Sequence, residues 1–446
     1  MHLVAAAVAL AAAVASGCDR EALDAASLRD PATCASCHPD QYREWAGSMH
    51  AHASDDPVFL ALNRVGQRMT DGAIGNLCAG CHAPASVAAG ISADGTDLGD
   101  LPREYRGVGC WACHAIDDVA ALHNGGMVFA DDGVERGGIG DPVATPAHGS
   151  KATALLDGRA LRSSDACGAC HDVVLGNGTA VEATYAEWTH TVFGPGGDSP
   201  LSCAACHMVG RDAPAADLPG MPVRRVHEHT FAGVDMALEP WPEKDAQRAA
   251  IDRDLAGTLG ARLCVIPGAG GVEVQVTLDN QQAGHAFPSG VTHARRVWVE
   301  LTARSGGVEV WRSGHFEPGE PVDTATDPTT WVLGTRFLDV DGVETPWVWL
   351  AAAIDGELLP PAVTNDRNDP RFYHAVTRTW AVAGVPDEVD LAVRMEPIAL
   401  QALDGLIAEG ELDPAIRDLM PRFELTRAAR AWRQDLDGWG CAPANR

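Results

Sequence analysis

Apolar and polar residues follow three different patterns along the chain. Residues 3–16 form one continuous apolar run. From about residue 30 to residue 235 the apolar runs are short and are separated by Gly, Ala, Asp and Pro, which predicts short helices, turns and irregular structure. Beyond residue 239 the apolar residues recur with regular periods. The chain is therefore expected to contain at least two domains of different character.

The regular half of the chain predicts a helix followed by an antiparallel sheet. Apolar residues recur every four positions from Ile251 to Leu259 within 244–263, which indicates a helix. Apolar and polar residues then alternate over 272–278 and 297–301, as they do in half-buried strands. We predict an antiparallel, sandwich-like β domain with C-terminal helices. Further strands are expected at 262–266, 308–312, 331–338, 343–350 and 390–395, and helices at 398–407 and 414–434.

The irregular half carries a repeated cysteine motif. Ten of the 13 cysteines fall into five copies of Cys-x-x-Cys-His. This spacing is typical of covalent c-type haem attachment, in which both thiols bond one porphyrin and the adjacent histidine ligates its iron. A zinc ribbon needs no histidine after each pair, and a thioredoxin-like site occurs once, whereas a disulfide framework stays an alternative for an exported chain. The five copies are Cys34-Cys37-His38, Cys78-Cys81-His82, Cys110-Cys113-His114, Cys167-Cys170-His171 and Cys203-Cys206-His207.

These motifs predict five covalently attached haem c groups, each with its iron. So many haems in about 200 residues leave little protein for an apolar core, so the porphyrin faces are expected to supply the buried apolar area. Without haem this region is predicted not to fold. The whole chain then divides into a signal peptide with a lipobox at 1–18, a linker at 19–30, a mostly α and irregular pentahaem domain at 31–235, a connecting helix at 236–262, the β domain at 263–396 and a C-terminal helical segment at 397–446.

Three cysteines lie outside the haem motifs. The apolar run at 3–16 has the length of a signal-peptide core, and it leads into Ala15-Ser16-Gly17-Cys18, which resembles a bacterial lipobox. We expect a periplasmic or cell-envelope protein with a lipid anchor at Cys18; the alternative is ordinary cleavage nearby with an incidental cysteine. Cys264 and Cys441 are the remaining pair, and in an oxidising compartment they either form a disulfide or stay free.

The ligand on the second face of each haem separates an electron carrier from a catalyst. A bis-histidine iron is saturated, whereas a five-coordinate iron leaves a position open for substrate. The supply of further histidines in the first half exceeds the five that full saturation requires. These histidines are His50, His52, His123, His148, His190, His227 and His229.

The stretch from Cys34 to Trp45, followed by Ser48-Met49-His50, resembles the opening motif of the cytochrome c-554 family. This family contains multihaem carriers related to the hydroxylamine-oxidoreductase haem arrangement. The resemblance implies that His50 returns as an axial ligand. It also makes His148, His190 and either His227 or His229 distal ligands, of which we take His229; His123 completes the set by elimination.

A second resemblance lies in the regular half. The segment from Gly284 through His285 and Phe287 to Gly290 is similar to a Gly-His-x-Phe-Pro-Thr/Ser-Gly segment of β domains attached to multihaem cytochromes. This makes His285 a further candidate for contact with a haem iron or propionate. The alternative is a structural loop whose histidine caps a strand.

We expect an electron carrier that passes single electrons between protein redox partners, and we assign no catalytic residue. The formal net charge of −28 argues against nucleic acid and anionic membrane surfaces as partners. The alternative function is an oxidoreductase that acts on a small nitrogen or sulfur compound at one five-coordinate haem. All five motifs end in histidine, so the lysine-ligated haem of pentahaem nitrite reductases is absent.

Overall fold

The computed structural model describes residues 22–444, so the predicted signal peptide and Cys18 lie outside the described residues. Residues 22–235, called here the N-terminal half, contain short helices joined by loops and two-stranded sheets. The helices are α1 (Ala25–Arg29), α2 (Pro31–Cys34), α3 (Pro39–Ala46), α4 (Met49–His52), α5 (Pro57–Met69), α6 (Ala79–His82), α7 (Pro84–Ala88), α8 (Cys110–His114), α9 (Ser163–Gly168), α10 (Thr184–Thr189) and α11 (Cys203–His207).

Four two-stranded sheets lie between these helices. Three of them are antiparallel, and the pair β3 with β4 is parallel. The strands are β1 (Ile116–Val119) with β2 (Met127–Phe129), β3 (Val134–Gly137) with β4 (Gly149–Ala152), β5 (Asp172–Val174) with β6 (Ala180–Ala183), and β7 (Gly210–Pro214) with β8 (Val223–His227).

Helix α5 is the longest helix of the N-terminal half, and its start is well defined. The Asp56 carboxylate accepts hydrogen bonds from the Val58 and Phe59 amides, and Pro57 occupies the first helical position, where no amide donor is needed. Val58, Ala61 and Val65 are buried on one face of this helix. The helix therefore presents Phe59 at a defined position beside the second motif.

The second half of the chain is built on two antiparallel sheets. Helix α12 (Lys244–Thr258) precedes them, and α13 (Leu400–Ala408), α14 (Pro414–Arg417) and α15 (Gln434–Asp437) lie near the end. The strands are β9 (Gly260–Gly268), β10 (Gly271–Asp279), β11 (Arg296–Ser305), β12 (Val308–Ser313), β13 (Val332–Leu338), β14 (Glu344–Thr345), β15 (Ala353–Glu357), β16 (Val376–Ala383), β17 (Glu388–Glu396), β18 (Phe423–Glu424), β19 (Arg430–Arg433) and β20 (Gly440–Cys441).

One sheet has the strand order β16-β10-β9-β20, and the other has the order β14-β13-β11-β17-β18 with β12, β15 and β19 paired at its sides. The alternating apolar residues of β10 and of β11 are buried in one common cluster, which also contains Ile251 and Leu255 of α12. Each fully buried aliphatic side chain of this kind stabilises the fold by about 1.5–3 kcal/mol. The antiparallel sheets and accompanying helices predicted from the alternation are confirmed.

Three boundaries differ from the sequence prediction. Helix α12 ends at Thr258 because Leu259 is already extended and Gly260 begins a strand. The strand expected at 343–350 is interrupted by Pro346, which has no amide donor, and Val348–Leu350 form a 3-10 turn. The helix expected at 414–434 stops at Arg417, and the chain after it supplies β18 and β19 to β17.

Cys264 and Cys441 form a disulfide that connects β9 to β20 across 177 positions of sequence. Of the two alternatives for this cysteine pair, the disulfide is therefore correct and the free thiols are not. Between residues 22 and 444, none of the helices combines the length and the apolar character that a membrane span requires.

Removing this disulfide is expected to destabilise the sheets. Serine at both positions frees the short strand β20 from its cross-link, and a disulfide of this kind contributes about 2–4 kcal/mol. Calorimetry of the C264S/C441S variant should show the transition of the second half at a lower temperature than in the wild type. An unchanged transition temperature would show that the other contacts of β20 hold it in place.

Candidate functional site

A continuous cavity of about 1850 Å³ runs through the N-terminal half and reaches the β sheets. It is larger than a usual small-molecule pocket of about 300–1000 Å³. All five motif histidines line it, and so do nine of the ten motif cysteines. Its walls also include six histidines from outside the motifs, which are His50, His148, His227, His229, His285 and His293.

Local helical structure aims the motif side chains into this cavity. Helices α8 and α11 span the whole of their motifs, and α6 covers the end of another. Residues three and four apart lie on the same helix face, so both thiols and the histidine of such a motif point to one side. The Cys-x-x-Cys-His spacing therefore suits the two vinyl groups and the iron of one haem.

Four motif histidines face a second imidazole across the cavity. The ring centroids lie 6.4 Å apart for His38 and His148, 6.3 Å for His50 and His171, 6.3 Å for His114 and His229, and 6.5 Å for His207 and His285. Two imidazoles that bind opposite sides of one metal at about 2.0–2.1 Å have their ring centres about 6.3 Å apart. The spacing of the four pairs matches bis-histidine ligation of an iron between them.

Hydrogen bonds at Nδ1 orient most of the motif imidazoles. Backbone carbonyl groups accept from this nitrogen at 2.7 Å in His38, 2.8 Å in His82, 2.5 Å in His114 and 3.2 Å in His207. A ligating histidine commonly makes such a bond with the nitrogen that does not bind the metal. His171 differs, because its Nδ1 lies 3.5 Å from the carboxylate of Glu182.

Burial favours the neutral form of three of the facing imidazoles. Burial lowers the pKa of His50 and His229 to about 3 and the pKa of His285 to about 4. Neutral imidazole is the form that binds a metal. His285 and His229 are also oriented by backbone carbonyls at 2.8 and 2.9 Å from their Nδ1 atoms.

Two histidines selected from the sequence do not take part in this arrangement. His123 and His190 are exposed, and neither makes a ring contact with a motif histidine. His190 ends helix α10, and its imidazole turns back to the Ala186 carbonyl at 2.8 Å. The spacing differs between the two. His50 follows Trp45 by five positions and lies in a new helix after α3 and its C-cap Gly47, whereas His190 follows Trp188 by two.

The other spare histidines have structural contacts. His52 stacks on Trp241 with centroids 4.0 Å apart, and the His227 ring packs beside Gly158 while its Nδ1 meets the Met208 carbonyl at 2.6 Å. His285 is the imidazole that faces His207, and the sequence had made it a candidate for contact with a haem. The Gly-His-x-Phe-Pro segment was the signal that pointed to it.

The second motif is different from the other four. His82 stacks on Phe59 of α5 with ring centroids 3.9 Å apart and an interplanar angle of 6°. Within residues 22–444, no second imidazole faces His82 at the spacing of the other pairs. Among the described residues, His82 would be the one histidine available to the iron of a haem held there.

Cysteines of different motifs lie beside one another. Cys34 of the first motif neighbours Cys110 of the third. Cys170 of the fourth motif neighbours Cys81 of the second. The fourth and fifth motifs also meet, at Cys167 and Cys203. The fourth motif is therefore the neighbour of at least two others.

A network of polar contacts holds the loop of His285 against the N-terminal half. The Glu187 carboxylate accepts hydrogen bonds from the Ala286 amide at 3.0 Å and the Ser289 hydroxyl at 2.9 Å. Arg295 forms a two-pronged ion pair with Asp235, with both N–O distances at 3.0 Å. These contacts determine where the imidazole of His285 lies relative to His207.

Replacing Glu187 by alanine is expected to loosen the loop 284–290. The Ala286 amide and the Ser289 hydroxyl lose their acceptor, and a buried donor left unpaired costs about 1–3 kcal/mol. Hydrogen–deuterium exchange of the Ala286 amide should be faster in E187A, whereas E187Q keeps an acceptor oxygen and serves as the matched control. Equal exchange in E187A and the wild type would contradict this role.

Comparison with known proteins agrees with this chemistry. Residues 33–115 match the family model described as cytochrome c554 and c-prime. The fold is similar to that of a penta-heme cytochrome c552 from Thermochromatium tepidum, with a TM-score of 0.60, 20% sequence identity, and coverage of 90% of this chain and 97% of that one. No curated protein matches the chain.

Cytochromes c of this family bind haem covalently, and the residues that line the cavity fit that cofactor. The motif thiols, the oriented imidazoles and the paired ring spacing are what attachment and axial ligation require. The segment 33–115 is therefore similar to the cytochrome c554 and c-prime family, and the five motifs have the spacing of c-type haem attachment sites.

Proposed function

We propose that the protein transfers single electrons between protein redox partners through five c-type haems. The ten motif cysteines would attach the haems, and the five motif histidines would ligate their irons. The observation that carries this proposal is the set of four imidazole pairs at 6.3–6.5 Å. Two histidines saturate an iron, and such an iron changes oxidation state without binding substrate.

The proposed second ligands follow from these pairs. His148 would serve the haem of His38, His229 that of His114, His50 that of His171, and His285 that of His207. This list of second ligands includes His285 and omits His123 and His190, which were expected from the sequence. The proposal makes the β half part of the redox centre, because it supplies one iron ligand.

The contacts between motifs support a branched route for electrons. The neighbouring cysteines would bring the first haem beside the third, and both the second and the fifth beside the fourth. Cys113 of the third motif is also a neighbour of Cys167 and Cys170 of the fourth. The haem of His171 would therefore be the branch point that joins the first and third haems to the second and fifth.

The domain boundaries and the cellular location also belong to the proposal. Residues 31–235 would form the haem domain, 236–262 the connection, 263–396 a sandwich-like β domain and 397–446 a terminal segment. A signal peptide at 1–18 and a lipid at Cys18 would place the protein in the periplasm or cell envelope. Its net charge of −28 favours redox partners with a basic docking face.

One observation favours a second candidate function. The haem of His82 lacks a facing imidazole among the described residues, which is the arrangement expected of a five-coordinate iron. An oxidoreductase that acts on a small nitrogen or sulfur compound would use that open position. The other four haems would then deliver or remove electrons.

The oxidised protein is expected to contain four low-spin haems and one high-spin haem. The four imidazole pairs give low-spin iron, and the haem of His82 gives the high-spin signal. Low-temperature EPR with spin quantification tests this ratio, after mass spectrometry has established that five haems are attached.

Two high-spin haems, or none, would contradict the ligand assignment. If the protein is a carrier only, the high-spin signal should stay unchanged when nitrite, hydroxylamine or sulfite is added. A change in that signal would favour the oxidoreductase.

Replacing His285 by alanine is expected to convert a second haem to the high-spin state. His207 would then be the only histidine on its iron, so the high-spin content should rise from one to two haems per chain. H123A and H190A are matched controls, because both histidines are exposed and should leave the spectrum unchanged. An unaltered EPR spectrum in H285A would remove His285 from the ligand set.

A further inference from the structure

We infer that Glu182 lowers the reduction potential of the haem held by His171 and thereby controls electron flow through the branch point. This inference rests on the proposed electron-transfer function. It concerns a positioning residue that acts through the iron ligand and does not touch a substrate.

The position of Glu182 follows from the local fold. Strand β5 begins at Asp172, directly after the fourth motif, and β6 returns antiparallel so that Glu182 pairs with Val173. This hairpin brings the Glu182 carboxylate to 3.5 Å from Nδ1 of His171. The other four motif histidines meet neutral backbone carbonyls at this atom. The fourth haem is therefore the one whose proximal histidine has a charged partner.

Within the described part of the chain, Glu182 forms no ion pair with an arginine or lysine. Its side chain is only 16% exposed, and among residues 22–444 its one ion-pair contact is with His171. The guanidinium of Arg295 acts on Glu182 electrostatically but is engaged by Asp235 through two bonds of 3.0 Å. A buried carboxylate without a counter-charge is costly, so native structures pair such groups.

A ferric haem supplies the missing positive charge. Ferric iron in a doubly deprotonated porphyrin with two neutral imidazoles carries a net charge of +1, and the ferrous form carries none. The nearby carboxylate stabilises the ferric form and has no such attraction to the ferrous form. A carboxylate beside Nδ1 also makes the imidazole a stronger ligand, which favours the ferric iron in the same direction.

The site of this effect gives it a consequence for the whole protein. Cysteines of the fourth motif lie beside those of the second and the fifth motifs, and near Cys113 of the third. A route for electrons that follows these contacts passes the haem of His171 on its way from the third haem to the fifth. A lower reduction potential makes the branch haem lose its electron most readily. This haem is then reduced for the smallest share of the time.

The test is a spectroelectrochemical titration of the complete five-haem protein with Glu182→Gln. Glutamine keeps the size and the hydrogen-bonding oxygen and removes the charge. One of the five midpoint potentials should rise while the other four stay unchanged. EPR of partly reduced samples assigns the shifted haem, because the signal of a bis-histidine haem depends on the angle between its imidazole planes. That angle is 48° for His50 and His171, against 36° for the pair of His148 and 19° and 13° for the pairs of His229 and His285.

Two further variants make the result specific. Glu182→Asp keeps the charge but withdraws it by one methylene, so the same potential should rise by less than in E182Q. Glu300→Gln is the matched control, because Glu300 is 20% exposed on β11 and pairs with Arg394 away from the motifs. It should leave all five potentials unchanged.

An E182Q protein with five unchanged potentials, or with five equal shifts, would overturn the inference. If the E182Q protein does not accumulate with five haems, E182D is used instead. Five unchanged potentials in E182D would also overturn the inference. Failure of the electron-transfer proposal is a separate result, because it would appear in the wild type as fewer than five haems or as a different spin ratio.

Discussion

One geometric relation recurs in the structure, in which two imidazoles face each other at the separation that an iron atom between them would require. Four pairs have it, with ring centroids 6.3–6.5 Å apart. The short helices and hairpins of the N-terminal half have little apolar core of their own, and they line one large cavity. Covalent attachment and axial ligation are the interactions that can hold such a chain in a defined conformation.

The two halves of the chain are joined by the same chemistry. The sheets of the second half have a large apolar core of their own, part of which lines the cavity, and the disulfide between Cys264 and Cys441 joins the strands β9 and β20 of one sheet. The loop of His285 leaves this stable framework and enters the cavity. Its contacts with Glu187 allow the β structure to position the imidazole of His285 opposite His207.

The differences between the five sites are as informative as their common motif. His82 is stacked on Phe59 and lacks a facing imidazole in the described part of the chain, so that site is suited to an open iron. His171 has a carboxylate at its second nitrogen, where the others have carbonyl groups. One sequence motif thus gives sites of different chemistry, because burial, charge and the second ligand come from elsewhere in the fold.

The sequence by itself determined the features that depend on neighbouring residues. The Cys-x-x-Cys-His spacing predicts attachment of a haem because the reacting atoms lie within one helical turn, and alternation along 272–278 predicts a half-buried strand because successive side chains point to opposite faces. Only the tertiary structure decided which imidazole faces which motif. His190 was selected because of the resemblance of its sequence to a known family, yet its imidazole turns back to its own helix. His285 reaches the cavity on a loop, and Glu182 reaches it on a hairpin. Such meetings depend on how distant segments pack, and no local pattern of residues specifies that packing.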